Sequence, residues 1–174
     1  LGAGFEESEA IGPCDRLRRA GVETRLAGIG GLEITGGHGI TVRADCTVEQ
    51  TDLTEAEMLI LPGGLGGVRS ICDSQAVLSA LKTVDARGGY AAAICAAPTV
   101  LAKLGLTEGK AATCYPGMEN EMSDARMTGA PAVRDGRVIT GKAAGTAFDF
   151  GLLLVETLCG AEIAQKVKAA VVYR

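Results

Sequence analysis

Tyr90-Ala-Ala-Ala-Ile-Cys-Ala-Ala-Pro-Thr-Val-Leu101 is the stretch on which the reading of the chain turns. It predicts a short buried strand that runs directly into a helix, with Cys95 at the junction. Ala92 and Ala93 precede the cysteine and Ala96 and Ala97 follow it. A sharp strand-to-helix turn crowds its neighbours, so a nucleophile displayed there needs small residues around it. The start of the helix leaves backbone N–H groups unpaired, and these, with the helix dipole, favour a thiolate over a thiol. Pro98 fits the first helical turn, where its missing N–H is no loss. The competing reading of the same pattern is an inert core cysteine, because free Cys is among the most buried residue types.

The composition bounds what surrounds this stretch. A chain of 174 residues, 47% hydrophobic and 22% charged, is expected to form one globular domain with a substantial core. A formal net charge of −4 gives no footing for nucleic acid or an anionic membrane as partner. No apolar run approaches the roughly 18 residues needed to span a bilayer. The opening Leu1-Gly-Ala-Gly-Phe-Glu-Glu-Ser-Glu9 is acidic, unlike a signal peptide. Cysteines 14, 46, 72, 95, 114 and 159 form no C-x-x-C pair, and His38 is the single histidine. The expectation is reduced thiols in a cytoplasmic protein, with no zinc or other metal site.

Upstream of the elbow, Gly2-Ala3-Gly4 reads as a turn leading into a helix from about Glu6 to Ala20. Its apolar face is Ala10, Ile11, Cys14 and Leu17, with a bend at Gly12-Pro13 and a stop at Gly21. Leu1 reads as the end of a strand, so a first strand is expected to be missing. Val22 to Ile29 is the next strand. Leu32–Thr35 and Ile40–Arg43, joined by Gly36-Gly-His-Gly39, predict a small hairpin excursion. Thr47 to Glu57 is an irregular crossover. Met58-Leu-Ile-Leu61, wholly apolar, predicts a central parallel strand covered on both faces, ended by a Pro62-Gly63-Gly64 turn. A helix over Ser74 to Ala86 and Gly88-Gly89 lead into the elbow.

Downstream, Lys110 to Cys114 predicts a strand and Tyr115-Pro-Gly117 a turn. Ala130–Arg134 and Arg137–Gly141 pair as a hairpin across Asp135-Gly136. Helices follow over Gly145–Leu158 and Ala161–Ala170, separated by Gly160. Strands alternating with helices imply a doubly wound, mainly parallel α/β sheet with helices on both faces. In such sheets ligands sit beyond the C-terminal ends of the strands. The Gly2–Glu9 turn, the Gly63-Gly64 turn and Cys95 then converge, bringing together a carboxylate, a glycine-rich backbone and a thiol.

Five segments carry a resemblance: Gly4-Phe-Glu-Glu-Ser-Glu9, Arg18-Arg-Ala-Gly21, Leu61-Pro-Gly-Gly64, Ala92-Ala-Ile-Cys-Ala-Ala-Pro98 and Gly145-Thr-Ala-Phe-Asp-Phe150. In this order the chain resembles the ThiJ/PfpI family, in its DJ-one branch, over essentially its whole length. The resemblance implies a flavodoxin-like fold, usually as a homodimer, that opens with a further strand. It makes Cys95 the reactive cysteine and Glu9 its acidic partner, protonated and donating to the thiolate. It places an oxyanion hole at the N–H groups of Gly64 and Ala96, and gives Gly63, Tyr115, His38 and Pro98 a place in the substrate pocket. Glu6 and Glu7 read as solvated first-turn residues.

Two departures shape the activity that is expected. Where many family members place a histidine near the cysteine, this chain has Tyr115, a poor base at neutral pH. His38 lies in the hairpin turn, at a position where some relatives carry arginine. A Cys–His protease or amidotransferase needs an imidazole beside the thiol. Aldehyde carbonyls need none, so the resemblance implies a glyoxalase- or deglycase-type enzyme with no cofactor. It would convert 2-oxoaldehydes such as methylglyoxal to 2-hydroxy acids. The alternative is an oxidative-stress sensor or redox-regulated chaperone working through Cys95 oxidation. Gly63-Gly-Leu-Gly-Gly67 lacks the Lys-Ser/Thr ending of a phosphate-binding loop.

Overall fold

The computed structural model of the chain describes residues 1–174. Helix α1 covers Glu7–Arg19, with Glu6 extended at its N-cap and Gly21 (φ 79°) just beyond its end. Glu7 and Glu9 in its first turn and three arginines in its last complement the helix dipole. Ala10, Cys14 and Leu17 are buried, whereas Ile11 remains 40% exposed, so the apolar face is narrower than the periodicity suggests.

β1 is only Ala27–Gly28, not the whole of Val22–Ile29. The antiparallel hairpin of β2 (Glu33–Thr35) and β3 (Thr41–Arg43) follows, and β4 (Cys46–Thr47) returns parallel to β1. Val22 to Leu26 has no partner strand. Instead Asp45 holds Leu26, its carboxylate accepting the Leu26 N–H at 2.7 Å and its own N–H donating to Leu26 O at 2.8 Å. Leu1 lies in a ladder position against β1: its amino group donates to Ala27 O, and its carbonyl accepts the Ile29 N–H at 2.8 Å.

After two 3-10 turns, Val48–Gln50 and Leu53–Glu55, β5 spans Met58–Leu61. Helix α2 (Leu65–Asp73), which the sequence pattern does not reveal, leads to α3 (Gln75–Ala86), where Ser74 Oγ accepts the Val77 N–H. β6 is Tyr90–Ile94 and α4 is Pro98–Lys103. The strand expected over Lys110–Cys114 contracts to β7 (Ala111–Ala112), paired with β8 (Arg126–Met127). β9 (Ala132–Asp135) and β10 (Val138–Gly141) form the expected hairpin around Gly136 (φ 61°). Helices α5 (Ala147–Cys159) and α6 (Ala161–Ala170) are separated by Gly160 (φ 86°).

The main sheet has the order β5-β6-β10-β9, parallel except for β9. β6 alternates its burial between two cores, as period-2 side chains must. Ala91 and Ala93 face Leu61, Ile71, Leu81, Val100 and Leu101 beneath α2, α3 and α4. Ala92 and Ile94 face Leu17, Ile139, Phe150 and Leu154 beneath α1, α5 and α6. This is the doubly wound, flavodoxin-like arrangement. β5 neighbours β6 as expected, but it ends the four-stranded array and three of its residues are only half-buried. Two cavities, of about 120 and 560 Å³, are each lined by residues of both β1 and β5, Ala27 and Ile60 among them. No helix is long and apolar enough to cross a membrane.

Candidate active site

Cys95 follows β6 directly and has φ 66°, a left-handed conformation that a non-glycine residue adopts under constraint. Such positions cost roughly 1–3 kcal/mol and persist where the surroundings over-determine them. Here both flanking peptides are tied down. Cys95 N donates to Gly141 O at 3.0 Å, Cys95 O accepts the Tyr115 N–H at 2.8 Å, and Ala97 N donates to Ile94 O at 3.1 Å. Ala96 and Ala97 are buried, so larger side chains would not fit beside the elbow. Pro98 stands at the start of α4, and Thr99 Oγ1 donates to Ala96 O at 2.8 Å.

The turn after β5 brings the acid to the thiol. Gly63 N donates to Glu9 Oε2 at 2.9 Å, and Gly63 O accepts the Glu6 N–H at 3.0 Å. A Cβ on Gly63 would lie 2.5 Å from Glu9 Oε2 and 2.7 Å from Cys95 Cβ, so glycine is what lets the carboxyl and the cysteine face each other. Gly64 has φ 82°, and a Cβ there would meet Glu6 N and Gly4 O at 2.5 Å. The N–H groups of Gly64 and Ala96 lie beside the Cys95 sulfur and pull its pKa down. These are the two donors the resemblance assigned to an oxyanion hole.

Electrostatics correct one expectation. Glu9 is 1% exposed, and burial is the main cause that raises its carboxyl to about 7. Cys95 is pushed up to about 12, first by burial, then by the Glu9 charge and the Glu9 hydrogen bond, against the pull of Ala96 and Gly64. The helix start does not by itself make a thiolate, because desolvation outweighs two N–H donors. Thiol and carboxyl instead hold one proton between them over a wide pH range. Glu9 Oε1 is buried without a partner of regular hydrogen-bond geometry, which leaves an acceptor for that proton.

The remaining expected pocket residues are spread around this centre. Tyr115 is 48% exposed and touches Cys95 through its backbone. Cys114 is buried, with its thiol raised to about 11 by burial, while the adjacent Tyr115 is exposed. His38 is an exposed turn residue engaged by α1: Nδ1 lies 2.9 Å from Glu7 Oε2 and 3.4 Å from Glu6 Oε2. Glu7 is not the solvated residue the sequence suggests. It is buried, accepts the His38 N–H at 2.8 Å, and its pKa falls to about 2, with the His38 hydrogen bond as first cause. The signal for this was an isolated histidine among glycines, with nothing to point it at a particular carboxylate. Glu6, Glu7 and His38 hold three donor atoms within 4.8 Å of one another, the one cluster with spacing suited to a metal ion, and their hydrogen bonds join them already.

Comparison with known proteins bears on the fold that carries this site. The model of the DJ-1/PfpI family matches residues 1–157. Protein dj-1beta of Drosophila melanogaster is 38% identical over 170 residues, covering 96% of this chain and 91% of that protein. Its crystal structure superposes with a TM-score of 0.95 at 36% identity, over 100% of this chain and 95% of the other. A deglycase of Pyrococcus abyssi is 34% identical over 143 residues, 81% of this chain and 86% of that one. The structure of oxidized Toxoplasma gondii DJ-1 gives a TM-score of 0.93 at 31% identity, with coverage of 98% and 94%.

Proposed function

This chain belongs to the DJ-1/PfpI family, and on that premise we propose that it is a cofactor-independent enzyme of glyoxalase or deglycase type. Small 2-oxoaldehydes such as methylglyoxal are its substrates, and it works as a homodimer in the cytoplasm. The observation that carries the reading is the juxtaposition, across Gly63, of Cys95 at φ 66° with a Glu9 that is 1% exposed and whose carboxyl burial pushes up to about 7. A base with a pKa near the working pH is the most effective kind.

As the Cys95 sulfur adds to the aldehyde carbon, Glu9 takes the thiol proton and the carbonyl oxygen becomes an alkoxide. The N–H groups of Gly64 and Ala96, aimed at the sulfur in the free protein, hold that charge. Proton return from Glu9 completes the hemithioacetal. The Glu9 carboxylate then removes the hydrogen from the former aldehyde carbon, giving an enediolate, and delivers it to the neighbouring carbon, while the hydroxyl proton on the first oxygen passes to the neighbouring oxygen. The product on Cys95 is a 2-hydroxyacyl thioester, and water hydrolyses it to the 2-hydroxy acid and free thiol. No imidazole is required, since the same carboxyl both accepts and donates.

A second reading, a redox sensor, is favoured by the two N–H donors at the sulfur, which suit sulfinate oxygens, and by the oxidized state of the Toxoplasma relative. It ranks second because a relative 34% identical over 81% of the chain is a deglycase, and the Glu9 carboxyl beside the thiol serves proton transfer, which oxidation does not need. The test is turnover without glutathione or metal: the protein consumes methylglyoxal and releases lactate, and Cys95→Ser abolishes this. Equal rates for the two proteins would falsify the enzyme assignment. Oxidation of Cys95 ahead of the other five cysteines, in a protein without turnover, would leave the sensor in its place.

A further inference from the structure

The head of α1 is sewn to the hairpin turn of β2 and β3. Gly4 N donates to Thr35 O at 2.8 Å, Gly37 N to Phe5 O at 2.8 Å, and His38 N to Glu7 Oε1 at 2.8 Å. The His38 ring closes the seam against Glu7 Oε2 at 2.9 Å, with Glu6 Oε2 at 3.4 Å. Glu6 in turn shares the Gly63 peptide with the catalytic acid. Its N–H donates to Gly63 O at 3.0 Å, while Gly63 N donates to Glu9 Oε2 at 2.9 Å. Glu6 and Glu9 are also neighbours at i, i+3.

We propose that His38 is a positioning residue for the Glu9–Cys95 pair: its imidazolium neutralises Glu6 and Glu7, so that Glu9 can ionise beside the thiol. The charges involved are few. His38 faces Glu7 and Glu6, and the hairpin's own pair, Glu33 opposite Arg43, lies two rungs beyond the Thr35–Thr41 rung next to the turn. Burial is the main cause that raises the Glu9 pKa, and of the charges around it Glu6 adds to that rise. A cation 3.4 Å from Glu6 offsets that charge, and a neutral ring would unmask it. The Glu7 hydrogen bond, followed by the Glu6 and Glu7 charges, raises His38 above its usual 6.5, so the ring keeps its proton towards neutral pH.

The inference takes Glu9 as the base of the proposed mechanism, but its test reads the thiol and not turnover. Alkylation of Cys95 by iodoacetamide is followed by peptide mass spectrometry from about pH 5 to pH 9, at low salt. His38→Gln should move the rising limb upward by about half a pH unit, roughly a twofold slower reaction near pH 7 and about threefold well below it. His38→Lys, which restores the charge without the ring, should bring the limb back. About 1 M salt should remove the difference between wild type and His38→Gln, because exposed charges are screened. A His38→Gln profile that superposes on wild type at low salt overturns the proposal. So does a His38→Lys profile that follows His38→Gln, since the effect would then belong to the ring's shape and not to its charge. A protein that fails to turn over aldehydes still answers the question.

Discussion

At the scale of single residues, the chemistry reduces to where one proton sits. Cys95 was legible in small residues around a cysteine at a strand end, and topology brought the Gly2–Glu9 turn to it, but only the family resemblance singled out Glu9 among the turn's acids. Their proton balance was not legible, because it depends on how completely water is excluded from both groups, and no local pattern encodes that. Desolvation raises both pKa values, to about 12 and about 7, so neither ionises alone at low cost. Turnover should therefore rise with pH through one ionisation near 7, as Glu9 becomes a carboxylate able to take the thiol proton. Glu9→Gln retains an acceptor for the Gly63 N–H but cannot pass a proton. We expect kcat/KM to fall by roughly 10²–10⁴-fold. The limb near pH 7 should vanish, leaving only an alkaline limb from the thiol's own titration. A retained limb near 7 in Glu9→Gln would assign the ionisation to another group. Glu7, hidden behind a reading of solvated acids, shows the opposite limit: its role needed a partner 31 positions away that sequence spacing could not identify.

At the scale of elements, the strands and helices with strong periodicity lie where the sequence places them, and the departures have physical causes. β5 matches Met58–Leu61, α6 matches Ala161–Ala170, and α3 and the β9–β10 hairpin differ from expectation by a residue or two at their ends. β1 is shorter than the expected Val22–Ile29 because a strand needs a neighbour, and Val22–Leu26 has none. Helix α2 was missed because Leu65-Gly66-Gly67 reads as loop, glycine being a poor helix former. Its glycines answer to packing instead. A Cβ on Gly67 would lie 2.8 Å from Phe5 Cα, and one on Gly66 2.8 Å from Ala3 O, so α2 can rest on the Gly2–Phe5 turn only without side chains there. Propensity and packing then give opposite signs for one substitution. Propensity alone would make Gly67→Ala stabilising by about 1 kcal/mol. The backbone contact predicts net destabilisation of about 1–3 kcal/mol. Gly145→Ala, with nothing within 4 Å of its Cβ, is the control and should be neutral or slightly stabilising. Urea midpoints of the two variants decide the matter, and a raised midpoint for Gly67→Ala would show that α2 is free to shift.

At the scale of the whole molecule, the same carboxyl that serves the chemistry sets part of the pH dependence of folding. The sequence showed a two-faced sheet with three converging loops, but not the opposing contributions of two acids on one helix. Glu7 is held down to about 2, so its contribution is present above its ordinary value of 4.5 and is lost as pH falls through 2. Glu9 runs the other way. Its folded pKa of about 7 lies above the ordinary 4.5, so its favourable contribution is complete below 4.5 and is lost as pH rises through 7. Stability from this pair should therefore peak near pH 4.5 and decline towards neutrality. The decline amounts to up to about 3 kcal/mol, since a tenfold change in a proton's affinity is worth about 1.4 kcal/mol. Glu9→Gln has no carboxyl to ionise and should be flat across that window while still losing stability in acid through Glu7. Thermal melts would then show the variant and the wild type close together at about pH 4.5 and the variant several degrees higher at about pH 8, at roughly 2–4 °C per kcal/mol for a chain of this size. If the gap is the same at both pH values, Glu9 does not titrate as a buried acid. Elevated stability together with lost turnover in one substitution would instead mean that the site is kept at the expense of the fold, by a carboxyl the protein must bury in order to use.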